Sequence, residues 1–294
     1  MVRSRRGDRI GRSAAASLAA SLLFGPMNAQ GAAPAPDFSG VWGRTSVDYE
    51  PPPSGPGPVM NQTRTFYMRV GDDTNPILKP EAAEKVRRAA AISRTGVNFA
   101  TPSNQCTPWS PPYAWRALLM QMVQQKDQIT IMYVGDQQIR QVRLNQPHST
   151  RVTPSYMGDS IGHYEGDTLV IDTVGTKTDR PFAMIDVYGT PYTGALHVVE
   201  RYRLIDYEAA QEGLKRDAKE NRLVPGDIDP NYRGKFLQVQ FTVEDEGVFT
   251  TPWTATITYR PAPAPWQEIV CAENTHEYYY NKDSEVPTAN RPDF

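Results

Sequence analysis

Polar and apolar residues alternate with a period of two along much of the chain from residue 128 onward. One alternating stretch covers residues 128–144 around a turn at Gly135-Asp136, and another covers residues 160–174 around a turn at residues 165–167. A period of two is typical of strands with one buried face, and a glycine-containing turn between two such strands indicates a hairpin. The sequence therefore predicts two β-hairpins in this region.

Five other segments have strand character. They are Phe38–Trp42, Leu196–Ile205, Phe236–Glu244, Val248–Tyr259 and Trp266–Ala272. Together with the hairpins they give eight or nine antiparallel strands in sequence order. Such an order predicts a mainly β fold, either an up-and-down barrel or a curved sandwich.

Two segments have helical spacing instead. A helix over residues 80–94 begins with Pro80 at its first position, where proline is favoured. A second helix over Tyr207–Asn221 lies within an insertion at residues 206–233, and we expect it to act as a lid or as a simple covering helix. The chain has 26 prolines, and the excess over average usage is clustered at residues 51–58 and 261–265, which argues against a fold dominated by long helices.

The first 31 residues have the pattern of an export signal. Five arginines precede an apolar run at Ser13–Gly25, and small residues follow it. The run is shorter than the ~20 residues that a membrane-spanning helix needs, and no later segment is as long. We therefore expect a signal peptide at residues 1–31, with Sec or twin-arginine export both open, and one β-rich domain at residues 32–294 in the periplasm or outside the cell. An uncleaved anchor is the alternative.

Net charge and motifs narrow the classes of partner. Residues 1–31 carry five arginines and one aspartate, so their removal changes the net charge from −2 to −6. Phosphate backbones would be repelled, and no stripe of basic and aromatic residues is present, so we do not expect nucleic-acid binding. The chain has no G-x-S-x-G, no glycine-rich phosphate loop and no H-E-x-x-H, and its four histidines lack metal-ligand spacing. The sequence therefore indicates neither a metal nor a cofactor.

The chain contains two cysteines. In an exported protein this number favours a single disulfide, Cys106 to Cys271. Two free buried thiols are the alternative.

Two carboxylates interrupt apolar faces of the predicted strands. Glu200 lies on the apolar face of the Leu196–Ile205 strand, and Asp172 is flanked on its face by branched apolar residues. An unpaired buried carboxylate costs several kcal/mol, so each needs a partner, a polar cavity or a bound proton. Arg140 is a suitable counter-charge.

Three interpretations of these charges remain open. They form a buried ion pair that fixes strand register, they line a barrel interior where a carboxylate acts on a ligand, or they face solvent. In the second interpretation the catalytic candidates are Asp172, Glu200 and His163, the last because its strand leads to a barrel mouth. The binding candidates in that interpretation are Arg140, Asp159, Tyr164, Tyr202 and Trp253, whose aromatic members suit sugars or phenolic rings.

A set of short motifs carries a resemblance to a known family. The motifs are Ser39-Gly40-Val41-Trp42, Cys106-Thr107-Pro108, the block Gly158–Thr173, Val199-Glu200-Arg201, Pro252-Trp253 and Cys271-Ala272-Glu273-Asn274. With them the chain resembles a family of exported bacterial proteins of unknown activity, over residues 37–274. The resemblance implies export, a β-rich fold and the disulfide. Tyr164 stands where that family usually has Trp, and the insertion after Ile205 is longer.

A shorter match concerns the first strand. Gly40-Val41-Trp42 is similar to the G-x-W opening of lipocalin-like barrels, which implies an apolar cavity for small molecules. The sequence thus favours a binding or enzymatic cavity for a hydroxylated or aromatic molecule, with lyase, isomerase or hydrolase chemistry. A non-catalytic periplasmic carrier and an envelope interaction module are the alternatives. A roomy interior would favour the first two, and a packed interior the third.

Overall fold

Nine strands close into a barrel in the computed structural model, which describes residues 35–44, 48–63, 68–219, 231–262 and 271. All of these residues belong to one compact unit, residues 34–294. The predicted signal peptide at residues 1–31 and most of the strand predicted at Trp266–Ala272 lie outside the described residues.

Neighbouring strands in the barrel follow the order of the sequence, and the last strand pairs with the first. The strands are β1 (Gly40–Gly43), β2 (Leu119–Gln124), β3 (Gln128–Tyr133), β4 (Gln138–Leu144), β5 (Asp159–Glu165), β6 (Thr168–Val174), β7 (His197–Ile205), β8 (Phe236–Glu244) and β9 (Trp253–Pro261). The prediction of a mainly β barrel is confirmed, as are the two predicted hairpins, β3–β4 and β5–β6.

Strands β4 and β5 pair in parallel, with Val142 opposite Ser160 and Leu144 opposite Gly162. The prediction that all neighbours are antiparallel is wrong at this one seam. A parallel pair needs a crossover rather than a tight turn, and the exposed segment at residues 145–158 supplies it. Gly162 permits the close approach, because a Cβ atom there would lie 3.0 Å from Val142 Cγ1.

Strand β2 was not apparent in the sequence. Its residues are Leu-Met-Gln-Met-Val-Gln, which contain a single β-branched side chain and little of the usual strand signal. Its burial nevertheless alternates toward the end, with Met120 and Met122 in the core. Pairing with β1 and β3 on its two sides therefore determines this strand more than its own composition does.

Two helices lie against the barrel. Helix α1 (Pro80–Arg94) agrees with the prediction and buries Ala82, Val86 and Ala90. Helix α2 (Tyr207–Lys219) packs closely on the outer face of β9, where a Cβ atom on Gly213 would lie 2.4 Å from Thr258 Oγ1. Residues 220–230 of the predicted insertion lie outside the described residues.

Large side chains fill the middle of the barrel. The ring of Phe241 lies 4.5 Å from that of Trp115 and 5.9 Å from that of Trp253, measured between centroids. Tyr133 and Tyr202 are also fully buried in this core. Large aromatic side chains therefore pack against one another in the described part of the barrel interior.

A disulfide joins Cys106 to Cys271, with their Cα atoms 5.2 Å apart. The predicted pairing is confirmed. Neither described helix combines the length and apolar character that crossing a bilayer requires.

Candidate functional site

Arg140 and Glu200 form an ion pair inside the barrel. Arg140 Nη1 lies 3.0 Å from Glu200 Oε2, and Nη2 lies 2.5 Å from Oε1, so the pair is bidentate. Both side chains have no exposed surface. Burial lowers the pKa of Arg140, but the facing Glu200 carboxylate outweighs burial and the net shift is upward. The expected counter-charge is thus Arg140, and it stays charged.

Three more buried side chains complete this pair. Arg140 donates through Nε to Ser160 Oγ at 3.0 Å and through Nη2 to Thr173 Oγ1 at 2.5 Å, and the Tyr202 hydroxyl donates to Glu200 Oε2 at 2.6 Å. The five residues come from four consecutive strands, β4 to β7, and they bridge the parallel seam from the inside. This arrangement fits the interpretation of an ion pair that fixes strand register.

Asp172 lies on the other side of the barrel wall. Ile171 is the residue opposite Glu200, whereas Asp172 is opposite Val199, so Asp172 and Glu200 point to opposite faces. The prediction that both acids face a shared interior is wrong. The pattern misled because both faces of β6 are rich in buried apolar residues, including outward Val170 and inward Ile171.

Asp172 instead binds two histidines on the outer face. Its Oδ1 atom lies 3.0 Å from His148 Nε2 and 3.0 Å from His197 Nε2. His148 Nδ1 lies 3.1 Å from Asp159 Oδ2, and His197 Nδ1 lies 3.6 Å from Glu244 Oε2. These five side chains, Asp159, His148, Asp172, His197 and Glu244, are the outer histidine cluster. Carboxylates and imidazoles alternate along it.

The strand register brings the cluster together. Asp159 begins β5, His197 begins β7 directly opposite Glu244 at the end of β8, and Asp172 lies between them on β6. All four therefore lie at one end of the barrel wall and on its outer face. His148 arrives from the crossover between β4 and β5, which runs over the same surface.

Asp159 and Asp172 of the cluster are held in their ionised form. A hydrogen bond from Arg143 lowers the pKa of Asp159 to about 2, against the opposing effect of burial. Burial raises the pKa of Asp172, but hydrogen bonds from His197 and His148 outweigh it and the net shift is downward. An ionised carboxylate only accepts hydrogen bonds, so both Nε2 atoms that face Asp172 carry hydrogen.

His197 is the member that can exchange a proton. Its Nε2–H is fixed by Asp172, and its Nδ1 faces Glu244 at a distance beyond a direct hydrogen bond. The hydrogen bond to Asp172 raises the pKa of His197, and burial opposes this shift only in part. A carboxylate that orients an imidazole in one tautomer and stabilises its cation is the arrangement of many acid–base sites.

A groove of about 340 Å³ lies beside His197. Its wall includes His197 and Glu244, together with the apolar side chains of Ala195, Phe249 and Pro252. A small ligand in this groove would contact both the imidazole and the carboxylate. We call it the histidine groove.

The other predicted site residues are spread over the barrel. Arg140, Glu200, Tyr202 and Trp253 are in the packed interior, and Asp159 is in the outer histidine cluster. The side chain of His163 is half exposed and lies 3.1 Å from Glu165 Oε1 on the outer surface. Tyr164 is partly buried against the core, and its hydroxyl has no hydrogen-bond partner among the described residues. The expected gathering of these residues around one hollow is therefore wrong.

Sequence reasoning missed His148, His197 and Glu244. The three are far apart in the chain, and His148 lies outside any strand, so no spacing rule connects them. His197 and Glu244 lie opposite each other because the start of β7 pairs with the end of β8. Predicting this contact requires the register of the two strands, which the sequence alone does not provide. No group of three or more His, Cys, Asp or Glu among the described residues has an arrangement that could hold a metal ion.

Comparison with known proteins gives no match: no family model, no curated protein and no solved structure is similar to this chain.

Proposed function

We propose that this protein binds a hydroxylated or aromatic small molecule in the histidine groove, and that His197 acts there as a general acid or base. One observation carries the proposal. Asp172 holds the Nε2–H of His197 at 3.0 Å, which leaves Nδ1 to a groove that Glu244 also lines. The same groove offers apolar surface beside its polar groups, as small-molecule sites do.

The chemistry we propose is proton transfer without a cofactor. Neutral His197 takes a proton on Nδ1, either from the ligand or, in a hydrolysis, from the water that attacks the ligand, and Asp172 stabilises the imidazolium that forms. The same proton then returns to another atom of the ligand or to its leaving group. Lyase, isomerase and hydrolase reactions all include such a pair of steps.

Glu200 takes no direct part in this proposal. It is fully buried and saturated by Arg140 and Tyr202, so a ligand in the histidine groove would not reach it. Asp172 remains a catalytic candidate, as the sequence suggested, but it lies on the outer face and acts by orienting His197. His163 is not part of the proposed site.

We also propose that the protein is exported and belongs to the uncharacterised bacterial family that its motifs resemble. The disulfide supports export, because disulfides persist in oxidising compartments. The sequence of residues 1–31 supports the same conclusion.

A second candidate function is non-catalytic docking on another protein of the cell envelope. The large side chains buried in the described barrel interior favour it, because they leave less room for a ligand there than the outer surface offers. A carrier that retains its ligand at the histidine groove without turnover is intermediate between the two.

One experiment tests these functions together. Purified protein is incubated with a panel of glycosides, phenolics, terpenoids and steroids, and both the bound compound and any product are measured by mass spectrometry. We expect product from one class with the unaltered protein and a loss of at least 100-fold with His197→Gln. The matched control is His163→Gln, an exposed histidine outside the groove, which should retain full activity.

The outcomes separate the candidates. Retention of a compound without product would establish a carrier and remove the enzyme. Neither binding nor product across the panel, with both variants folded, would overturn the small-molecule function and leave the docking function.

A further inference from the structure

A second groove, of about 680 Å³, adjoins the histidine groove. One wall is the proline-rich segment at residues 51–58, and the opposite wall is formed by residues 72–77. Thr250 and Thr251 line both grooves, so the two meet at this pair. We call the second one the proline groove.

The proline-rich wall is fixed to the barrel. Glu50 and Thr256 exchange two backbone hydrogen bonds of 2.8 and 2.9 Å, and the Thr254 N–H donates to Pro56 O at 3.2 Å. Asn75 Nδ2 donates to Pro58 O at 3.0 Å, which links the two segments that line the groove. The shape of the groove therefore exists before any ligand arrives, which lowers the entropy that binding costs.

Several polar side chains that line the proline groove already have hydrogen-bond partners within the protein. Thr250 Oγ1 donates to Pro76 O at 3.0 Å, and Asp72 Oδ1 accepts from Thr74 Oγ1 at 2.6 Å. Asn75 is already bound to the proline-rich segment. What remains for a ligand is mainly the proline rings, of which Pro56 and Pro76 are exposed and Pro51 and Pro52 are partly buried.

Proline rings pack favourably against aromatic rings. Proline-rich peptides bind in grooves lined by aromatic side chains, because the rigid pyrrolidine ring packs flat on an aromatic face. In the proline groove the protein supplies the proline side of this contact. Glu244 and Glu246 in the histidine groove and Asp72 in the proline groove make the rim acidic, which disfavours anionic ligands.

We propose that the proline groove is an aromatic subsite, and that the ligand is an uncharged two-part molecule such as an aryl glycoside. Its hydroxylated part lies beside His197, and its aromatic ring lies against the proline rings across the Thr250–Thr251 junction. This inference rests on the proposed function, since it identifies the ligand class of the same site. It adds to the site a second binding region, the proline groove, which takes no part in the proton transfer at His197.

The test uses methyl and phenyl glycosides of the same sugar, taken in pairs for several sugars, with phenol alone as a third probe. Dissociation constants are measured by calorimetry, and contacts are located by NMR at His197 and Thr251. For at least one sugar, we expect the phenyl glycoside to bind about tenfold more tightly than its methyl partner.

The variant Thr251→Trp fills the junction from an exposed position and should remove that tenfold difference. Its control is Gln240→Trp, which adds the same bulk at an exposed position of β8 that lines neither groove, and which should keep the difference.

Each result decides one of the two proposals. Equal binding of methyl and phenyl glycosides, with contacts at His197, would overturn the aromatic subsite and leave the proposed function standing. Phenol contacts at Thr251 that vanish in Thr251→Trp, without glycoside contacts at His197, would support the subsite and overturn the proposed function. Absence of all binding by the three probes would overturn the aryl glycoside as the ligand.

Discussion

Asp172 and Glu200 are one residue out of register on adjacent strands and therefore lie on opposite faces of the barrel wall. Glu200 is saturated inside by Arg140 and Tyr202, and Asp172 binds two histidines outside. Because a strand has a period of two, that single step in register separates a structural carboxylate from a candidate catalytic one. Each acid can therefore be tested without disturbing the other.

Removal of Glu200 should destabilise the barrel strongly. Glu200→Leu leaves the buried Arg140 guanidinium without a counter-charge, and we expect a loss of about 3–5 kcal/mol in the free energy of unfolding. The double variant Arg140→Met with Glu200→Leu should lose less than the single one, because no charge then remains buried. Urea denaturation measures both.

The control for this prediction is the exposed pair of Arg201 and Glu165 on the outer face. Arg201→Met should cost no more than about 1 kcal/mol, since solvent screens exposed pairs. Equal losses in Glu200→Leu and Arg201→Met would contradict the structural importance of the buried pair.

Asp172→Asn should lower the pKa of His197. The pKa of His197 is raised chiefly by the hydrogen bond to Asp172, which favours the imidazolium. A histidine whose pKa is higher in the folded chain than in the unfolded chain stabilises the fold. This stabilisation is complete at pH values below the unfolded-state pKa of about 6.5, and it is lost as the pH rises through the folded-state pKa. NMR titration of the His197 ring protons should show the downward shift in Asp172→Asn, together with a smaller stability gain on acidification.

Glu165→Gln serves as the matched change for the histidine titration, because it removes a carboxylate beside His163 on the same outer surface. It should leave the titration of His197 where it is. An unchanged His197 pKa in Asp172→Asn would contradict the proposed orientation of the imidazole by Asp172.

Asp186 should make stability fall between pH 4 and pH 7. Burial raises the pKa of this carboxyl to about 7, although its Oδ1 accepts the N–H groups of Tyr188 at 2.8 Å and Thr190 at 3.1 Å. Its unfolded pKa is about 3.9, so across this window the folded chain binds more protons than the unfolded one, and stability declines as the pH rises.

Asp186→Asn should remove that decline. The free energy of unfolding, measured at pH 4.5 and pH 8, should differ less in this variant than in the unaltered protein. Asp167→Asn, at an exposed turn, should retain the full difference. A pH dependence that is identical in all three proteins would show that Asp186 ionises normally.

Loss of the disulfide should also be costly. Cys106 and Cys271 are 165 residues apart, and closing a loop of that length stabilises by roughly 5 kcal/mol in the chain-entropy model. The double variant Cys106→Ser with Cys271→Ser should lose a comparable amount in denaturant titration. Addition of a reducing agent should destabilise the unaltered protein and leave the double variant unchanged. An equal response of the two would contradict the bridge.

Local features of the fold could be predicted from the sequence, and long-range ones could not. The β5–β6 hairpin was evident because its strands and its glycine turn are adjacent in the chain, and Gly166 has the positive φ of 62° that such a turn uses. Strand β2 and the parallel pairing of β4 with β5 were missed, because neighbours distant in sequence decide both.

The same distinction applies to the candidate site. Arg140 was predicted as a counter-charge for these acids because a buried carboxylate requires one and Arg140 shares a strand face with the apolar Val142 and Leu144. His148 and His197 were not predicted, since their meeting at Asp172 depends on the register of three strands and the course of one connection. Asp172 was grouped correctly with Val170 on one face of β6, but the apolar residues on that face led us to place it inside, whereas it is the outer face.

The crossover at residues 145–158 is a segment that can change in sequence and length while the barrel strands stay the same. It is exposed along most of its length, joins two strands whose pairing is made by their own backbones, and carries His148 to Asp172. Connections of this kind tolerate changes in length and sequence that strands do not. Descendants of one ancestral chain would therefore be able to acquire new chemistry beside Asp172 by altering this segment alone, while the nine-stranded frame is inherited intact.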